Sequence, residues 1–313
     1  MIRFFVSVTD NQWFRFLAQL QPDEVNFWRP GGGSFRALKR WDPFLFKLHA
    51  PDDFVVGGGF FVEYSRLPLS LAWDVFEAKN GAPDFETFSD QIYKYRAAKG
   101  TMEPNPKIGC IVLTEPFFFS REDWIPAPED WSPSIVQGKG YNTEDPIGRR
   151  LWDRVQALLP HYQRPRLEKA DTALVIREEG PAYSETLTHV RLGQGAFRVL
   201  VTDAYHRRCA MTGERTLPAL EASHIKPFSK SGPHRVNNGL LLRADLHRLF
   251  DRGYMTVTKD ARIEVSRRVK EEYDNGDEYY ALHGNRLVVM PTSGVDRPAS
   301  DFIEWHNERV FIG

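Results

Sequence analysis

The stretch between residues 219 and 257 limits the possible folds of this chain more than any other part of the sequence. It reads ALEASHIKPFSKSGPHRVNNGLLLRADLHRLFDRGYMTV. The pattern predicts a strand that ends at His224, a loop rich in Lys, Ser, Gly and Pro, a second strand, and a helix from about Arg243 to Phe250. A metal site built between two strands and a helix, the ββα arrangement, needs its elements in this order.

Three residues of this stretch have the chemistry that phosphodiester hydrolysis requires. A histidine at the end of a strand can take a proton from water, and a second histidine can hold a divalent cation against the phosphate. An asparagine between them can fix the loop through hydrogen bonds of its side chain. These positions are His224, His247 and Asn238, which lies 14 residues after His224 and 9 residues before His247. We take them as the candidate catalytic residues.

Further residues around these three resemble the HNH endonuclease family, the ββα-metal nucleases. The matching residues are Tyr205, CAMTG at 209–213, ASHI at 222–225, NGLLL at 238–242, DLH at 245–247 and FDRG at 250–253. The upstream RLGQGAFR at 191–198 is similar to the helix that often precedes this module, so the resemblance covers about residues 185–313. It implies that His224 is the general base, that His247 is a metal ligand and that Asn238 orients the loop.

The residue before the base histidine departs from the family pattern. Many members carry Asp or His there as a second metal ligand, whereas this chain has Ser223, and a serine hydroxyl is a poor ligand for Mg²⁺ or Mn²⁺ without help from a water or a carboxylate. Glu221 and Asp245 are both candidates for the missing charge. The resemblance implies a divalent cofactor, Mg²⁺ or Mn²⁺. No structural zinc is expected, because Cys110 and Cys209 form no CxxC pair.

Other polar residues of this region receive a structural interpretation. Asp251 is predicted to be a residue of the helix end rather than a ligand. His206 and His234 are predicted to lie on the surface or to contact phosphate. Asn237 competes with Asn238 for the role of orienting the loop.

Basic residues are concentrated in the same part of the chain. Residues 191–250 contain ten Lys and Arg against four Asp and Glu, although the formal net charge of the whole chain is −1. Basic side chains neutralise phosphates and position nucleic acid without specifying its sequence. The candidate nucleic-acid-binding residues are Arg198, Arg207, Arg208, Lys226, Lys230, Arg235 and Arg243.

The first part of the chain consists of short apolar segments separated by Gly and Pro. Strands are predicted at Ile2–Val8, Phe44–Leu48, Val55–Val62 and Ile108–Leu113, and helices at Leu71–Ala78, Asp84–Ala98, Ile147–Leu159 and Thr186–Tyr205, with a short strand around Cys209. The glycines at 57–59 indicate a sharp turn or a close approach of two backbones. We predict an α+β fold with a β-barrel-type domain in 1–145, a helical linker in 146–184 and the ββα nuclease domain in 185–313.

Three segments of the first part weakly resemble the PUA-like superfamily, which includes EVE-type and related readers of modified bases. They are WRPGGGSFRALKRWDPFLFKL at 28–48, FVVGGGFFVEY at 54–64 and LAWDVF at 71–76. In such domains a flipped base lies between aromatic side chains and is hydrogen-bonded along its edge. The candidate residues for this modified-base pocket are Trp28, Phe60, Trp73 and Trp124.

Together these patterns predict a metal-dependent DNA endonuclease of the restriction or defence type that depends on methylated or hydroxymethylated cytosine. Its expected partner is double-stranded DNA, and a homodimer is expected because one HNH site cuts one strand at a time. Two alternatives stay open: a nuclease acting on RNA or structured single-stranded nucleic acid, and a catalytically silent nucleic-acid-binding protein. No run of 18 or more apolar residues and no signal peptide is evident, so a cytoplasmic protein without a membrane partner is expected.

Overall fold

The structure is a computed structural model that describes residues 1–97, 103–162 and 192–313. The chain divides into two compact units, Met1–Ala196 and Phe197–Gly313. Strands and helices occur in both, which confirms the predicted α+β class. No helix in the described part of the chain is long and apolar enough to cross a membrane.

The first unit is built on one seven-stranded sheet. Its strands are β1 (Arg3–Thr9), β2 (Glu24–Arg29), β3 (Pro43–Leu48), β4 (Phe54–Pro68), β5 (Lys107–Phe118), β6 (Ile125–Pro126) and β7 (Gly138–Asn142). Its helices are α1 (Asn11–Leu20), α2 (Leu69–Phe76), α3 (Phe85–Ala97) and α4 (Pro146–Tyr162). The hydrogen-bonded order is β2-β5-β4-β3-β1-β7, with β6 paired to β4. Only the β1–β3 pair is parallel among the pairs of this sheet.

The glycines predicted to mark a turn or a close approach lie in the middle of β4. A Cβ atom at Gly57 would lie 2.2 Å from the carbonyl oxygen of Phe117, and one at Gly58 would lie 2.6 Å from that of Phe44. The neighbouring strands β3 and β5 therefore approach β4 closely only because these side chains are missing. The close approach is confirmed, and the predicted turn is not needed.

Helix α4 belongs to the core of the first unit. Trp152 is almost fully buried and its ring lies 5.6 Å from that of Phe4 on β1, and Leu151, Val155 and Leu159 are buried in the same cluster. The predicted helical linker therefore includes a helix whose apolar face is covered by the sheet. The remainder of the predicted linker, 163–184, and the predicted start of the nuclease domain at 185 lie outside the described residues, so that boundary stays a prediction.

The helix that precedes the strands of the second unit is shorter than predicted. Helix α5 runs over Gln194–Ala204, and the part of the predicted helix before residue 192 lies outside the described residues. The later elements are the strands β8 (Leu220–His224), β9 (Gly239–Arg243), β10 (Met255–Val257) and β11 (Ile263–Val265), and the helices α6 (Ala244–Asp251), α7 (Arg268–Tyr273), α8 (Asp277–Tyr280) and α9 (Ser300–Arg309).

The predicted strand around Cys209 is wrong. Residues around Cys209 form turns and no named strand, although the amide of Ala210 donates a hydrogen bond of 2.7 Å to the carbonyl of Leu241 on β9. Cys209 itself is buried in the apolar core of the second unit, together with Phe197, Leu241 and Phe250. Its apolar surroundings come from core packing rather than from a β-ladder.

Candidate active site

Strands β8 and β9 and helix α6 form the ββα arrangement that the sequence predicts. The two strands pair antiparallel with His224 opposite Gly239 and Glu221 opposite Leu242, and α6 begins directly after β9. A Cβ atom at Gly239 would lie 2.5 Å from Cγ2 of Val201. Glycine at this position therefore lets the start of β9, and with it the end of β8, lie against α5.

His224 ends β8 with its ring packed flat on an aromatic side chain. The ring centroids of His224 and Phe197 are 3.9 Å apart and the planes differ by 13°. Burial lowers the pKa of His224 to about 4, and the nearby charges of His234, His247 and Arg198 act in the same direction. The imidazole is therefore uncharged near neutral pH, so a lone pair is available to accept a proton.

Asn238 is fully buried and fixes the loop between the two strands. Its Oδ1 accepts a hydrogen bond of 2.9 Å from the amide of Lys226, and its Nδ2 donates to the carbonyl oxygens of Lys226 at 3.0 Å and Pro233 at 2.9 Å. One side chain thus holds both ends of the segment 226–233. This is the geometry expected for a residue that orients the loop, whereas Oδ1 of Asn237 is buried without a hydrogen-bond partner among the described residues.

The same loop brings a second imidazole to His224. Nδ1 of His234 lies 2.9 Å from Nε2 of His224, whereas the sequence predicted His234 on the surface or against phosphate. Gly232 and Pro233 directly before it are the available sequence signal, because this pair marks a turn that sends the chain back towards β8.

His247 lies on α6 between two carboxylates. Its Nδ1 is 2.6 Å from Oε2 of Glu221, and its Nε2 is 3.2 Å from Oδ2 of Asp251. Burial acts to lower the pKa of His247, but the hydrogen bonds to Asp251 and Glu221 outweigh it and raise that pKa above its ordinary value. This histidine is thus drawn towards the charged form, in contrast to His224.

The structure separates the candidate metal ligands. Glu221 reaches His247, whereas Asp245 is held by Arg243 through two hydrogen bonds, Nε to Oδ1 at 3.0 Å and Nη2 to Oδ2 at 2.6 Å. Two positions along a helix turn a side chain by about 200°, so Asp245 and His247 leave α6 on different sides. Asp245 is therefore placed away from His247, whereas Asp251, four residues after His247, lies beside it. The signal in the sequence is this i, i+4 spacing, and the identity of the metal ligands stays a prediction.

The chemistry of these donors fits a divalent cation. Carboxylates with one imidazole suit Mg²⁺ or Mn²⁺. The hydroxyl of Ser223 is buried and has no hydrogen-bond partner among the described residues, and such a group indicates a missing water or ion. In residues 1–97, 103–162 and 192–313, however, no three His, Cys, Asp or Glu side chains already converge as a cage. Both ring nitrogens of His247 are in contact with a carboxylate, so a cation bound at either nitrogen would take the place of that contact.

The basic residues differ in how free they are to meet phosphate. Arg243 is engaged by Asp245, and Nε of Arg207 lies 3.0 Å from Oδ1 of Asp203. Lys230 is exposed on the loop before His234. The remaining candidates lie in mixed surroundings: Arg198 acts on the pKa of His224, Arg208 donates to the carbonyl oxygen of Gly213, Lys226 lies over the ring of Trp305, and Arg235 is partly buried.

The four aromatic residues predicted to form a base pocket do not come together in the first unit. Trp28 and Trp73 both pack on Phe88, with ring centroids 6.4 Å and 6.0 Å away. Phe60 is a core residue with 1% of its surface exposed, and Trp124 packs on Phe14 and Phe54 instead. A cage of all four is therefore wrong, because Phe60 offers no free ring face and Trp124 belongs to another cluster.

Comparison with known proteins confirms the resemblance of the second part. Residues 209–258, which contain His224, Asn238, His247 and Asp251, match the family model described as HNH endonuclease. No match is found among curated proteins.

Several solved structures are similar to this chain at low identity. The N-terminal region resembles ASCH from Zymomonas mobilis, with 13% identity, 48% of this chain and 94% of that chain covered, and a TM-score of 0.31. The modification-dependent TagI restriction endonuclease has 20% identity, 38% of each chain covered and a TM-score of 0.29. The Type IV phosphorothioation-dependent restriction endonuclease ScoMcrA has 15% identity, 73% of this chain and 48% of that chain covered, and a TM-score of 0.18.

Proposed function

We propose that the second unit hydrolyses phosphodiester bonds of double-stranded DNA with a divalent cation as cofactor. The observation that carries this proposal is the contrast between His224 and His247. Both belong to one ββα arrangement, which lies in the stretch that matches HNH endonuclease. His224 is a partly buried, uncharged imidazole, whereas His247 is flanked by carboxylates. Hydrolysis of a phosphodiester needs both a base for water and a charge that offsets the phosphate.

In this proposal His224 is the general base. It takes one proton from water, the water oxygen attacks phosphorus, and the bond from phosphorus to the leaving oxygen breaks. The stack on Phe197 and the hydrogen bonds of Asn238 hold the strand end and the loop in place while this occurs. A bound Mg²⁺ or Mn²⁺ would offset the charge that develops on the phosphate and on the leaving oxygen.

We assign the cation to Nε2 of His247 and the carboxylate of Asp251. Nε2 is the nitrogen of His247 that contacts Asp251, and the charge of Asp251 also acts on His224. Glu221 then holds the opposite nitrogen, Nδ1, as a carboxylate that orients a metal-binding histidine. Ser223, whose buried hydroxyl has no hydrogen-bond partner among the described residues, would contribute to the cation site through a water.

We further propose that the first unit selects DNA that carries methylated or hydroxymethylated cytosine. Trp73 is the candidate base contact, since it is only partly buried and lies on Phe88. Trp28 lies on the same Phe88 but is buried and donates its Nε1 hydrogen to the carbonyl oxygen of Asn80. An exposed aromatic face is the kind of surface on which a flipped base stacks. Cutting both strands requires two nuclease sites, so we propose a homodimer.

Cleavage of matched DNA duplexes tests this function. The duplexes carry unmodified, 5-methyl or 5-hydroxymethyl cytosine, with Mg²⁺ or Mn²⁺, and His224→Ala is compared with wild type. His206→Asn is the control, because His206 is exposed and its ring is hydrogen-bonded only to Thr292 among the described residues. Asn also tolerates its positive φ of 55°. We expect cutting of modified DNA that His224→Ala abolishes and His206→Asn retains.

The other outcomes separate the remaining candidates. Equal cutting of all duplexes keeps the nuclease and removes the modified-base reader. Faster cutting of RNA of the same sequence assigns the substrate to RNA. A shift of nucleic acid on a gel without metal-dependent products identifies a silent binding protein.

A further inference from the structure

The loop between β8 and β9 supplies the base histidine with a partner whose role the proposed function leaves open. Nε2 of His224 and Nδ1 of His234 are 2.9 Å apart, a hydrogen-bond distance between two imidazoles. Among the described residues, no other hydrogen bond reaches the ring of His224. A role for His234 in the reaction rests on the proposed function of His224 as the base.

Each imidazole of this pair is stacked on one aromatic ring. His224 lies on Phe197 at 3.9 Å with planes 13° apart, and His234 lies on Phe228 at 4.5 Å with planes 10° apart. Phe197 is in the core, whereas Phe228 is exposed. The hydrogen bond therefore joins two rings whose planes are already fixed, one from the core side and one from the solvent side.

The backbone before His234 is fixed as well. Asn238 donates a hydrogen bond of 2.9 Å to the carbonyl oxygen of Pro233. A Cβ atom at Gly232 would lie only 1.8 Å from the carbonyl oxygen of Lys226, so the loop closes more tightly there than any side chain would allow. The position of Nδ1 of His234 against β8 is thus set by the fold and not by the exposed side chain alone.

A neutral imidazole carries one donor nitrogen and one acceptor nitrogen, so the two rings can share this hydrogen bond in two ways. When His234 donates, the proton of His224 sits on Nδ1, and no lone pair of His224 is left for water. When His224 donates from Nε2, its Nδ1 carries the lone pair. Only the second arrangement is compatible with a base at position 224.

We propose that His234 is a positioning residue that accepts the Nε2 hydrogen of His224 at its own Nδ1, and so makes Nδ1 of His224 the atom that takes the proton from water. In that step one O–H bond of water breaks and the proton binds to Nδ1 of His224. The Nε2 hydrogen stays on His224 and remains donated to His234. No proton passes to His234, which steadies the imidazolium as a neutral acceptor.

Proton positions on the nine histidines of the full chain are measurable by long-range ¹H–¹⁵N correlation after selective ¹⁵N-histidine labelling. The wild type is compared with His234→Phe, which keeps a ring on Phe228 but removes the acceptor, and with His234→Asn, which keeps an acceptor near the position of Nδ1. His306 is the internal standard, because its Nε2 lies 3.0 Å from the carbonyl oxygen of Phe250 and must carry the hydrogen. An unchanged His306 signal shows that each variant is folded.

We expect the Nε2–H form of His224 in wild type and in His234→Asn, and a mixture of both forms in His234→Phe. The single-turnover cleavage rate should fall about tenfold in His234→Phe with unchanged DNA affinity, and recover in part in His234→Asn. A wild-type His224 in the Nδ1–H form, or a His234→Phe protein that cuts as fast as wild type, would overturn the proposal. Cleavage by His224→Ala would instead overturn the proposed base, and the spectra read the tautomer independently of that result.

Discussion

His224 and His247 lie in opposite environments, although both belong to the short ββα arrangement of β8, β9 and α6. His224 ends β8 against the ring of Phe197, and burial lowers its pKa to about 4. His247 lies on α6 between Glu221 and Asp251, whose hydrogen bonds raise its pKa against the effect of burial. The ββα arrangement thus places an uncharged side, which suits proton transfer from water, beside a charged side, whose two carboxylates suit a cation.

This comparison shows that residue type alone does not assign a role. Both positions are histidines on the same short stretch, and their partners make them different. A third histidine, His306, has a pKa lowered to about 4 mainly by burial, like that of His224. Its Nδ1 and Nε2 are both engaged, by Thr256 and by the carbonyl oxygen of Phe250, so it is a structural residue.

The largest expected effect is on the uncharged side. His224→Ala should lower the single-turnover cleavage rate by about 10²–10⁴-fold, the range that general-base catalysis contributes. The affinity for DNA, measured by fluorescence anisotropy, should stay within a factor of about three. A fall in rate that is matched by a similar loss of binding would show that His224 contacts DNA instead of water.

On the charged side, Asp251→Asn should raise the Mn²⁺ concentration needed for half-maximal cleavage by about 10–100-fold. Asp245→Asn is the matched control, because Asp245 is held by Arg243 and lies away from His247. If the two variants behave alike, the assignment of the cation to Asp251 is wrong.

Asn238→Ala should lower both the stability of the folded protein and the cleavage rate that depends on His224. Removing a fully buried amide that makes three hydrogen bonds costs on the order of 1–3 kcal/mol of unfolding free energy, measured by urea unfolding. We expect a lower cleavage rate in the folded variant with an unchanged Mn²⁺ midpoint. A shifted midpoint would show that the two sides are coupled through the loop.

The smallest effect concerns the pH dependence of stability without divalent cations. Since the folded pKa of His247 lies above 6.5, the stability from its carboxylate partners is fully present below pH 6.5 and is lost as the pH rises through the folded pKa. Glu221→Gln should reduce this loss by less than about 1 kcal/mol, because the partly exposed pair is screened by solvent. Urea unfolding at a series of pH values measures it, and a larger loss in the variant contradicts the assigned role of Glu221.

His224 gives the opposite trend. Its folded pKa of about 4 lies below that of the unfolded chain, so stability is lost as the pH falls from 6.5 towards 4. Unfolding curves of His224→Phe in that pH range should show a smaller loss than wild type.

Much of the second unit was predictable because local sequence patterns indicate its strands, loop and helix. The strand that ends at His224, the pinned loop and the following helix are each visible in apolar periodicity and turn residues. The partners of the histidines were not. His234 reaches His224 only through the closure of the loop at Gly232, and Asp251, predicted only to end a helix, reaches His247 across one helical turn.

The first unit was harder to predict because buried polar residues interrupt its strands. Strand β2 was missed: Glu24 and Asn26 are polar but fully buried, and their partners, Lys79 and Asn80, lie far along the chain. Helix α1 was missed too, although Asp10 caps it by accepting hydrogen bonds from the amides of Gln12 and Trp13. Aromatic residues such as Phe60 suggested a pocket, but burial in the core cannot be distinguished from a binding surface without the fold.

The most direct test of the two-sided site is a titration of the single-turnover cleavage rate with Mn²⁺, performed on wild type, His224→Ala and Asp251→Asn. We predict that His224→Ala lowers the plateau without moving the Mn²⁺ midpoint, and that Asp251→Asn moves the midpoint to higher Mn²⁺. A shifted midpoint in His224→Ala, or a lower plateau at an unchanged midpoint in Asp251→Asn, would contradict the division of the site between a base and a cation-binding side.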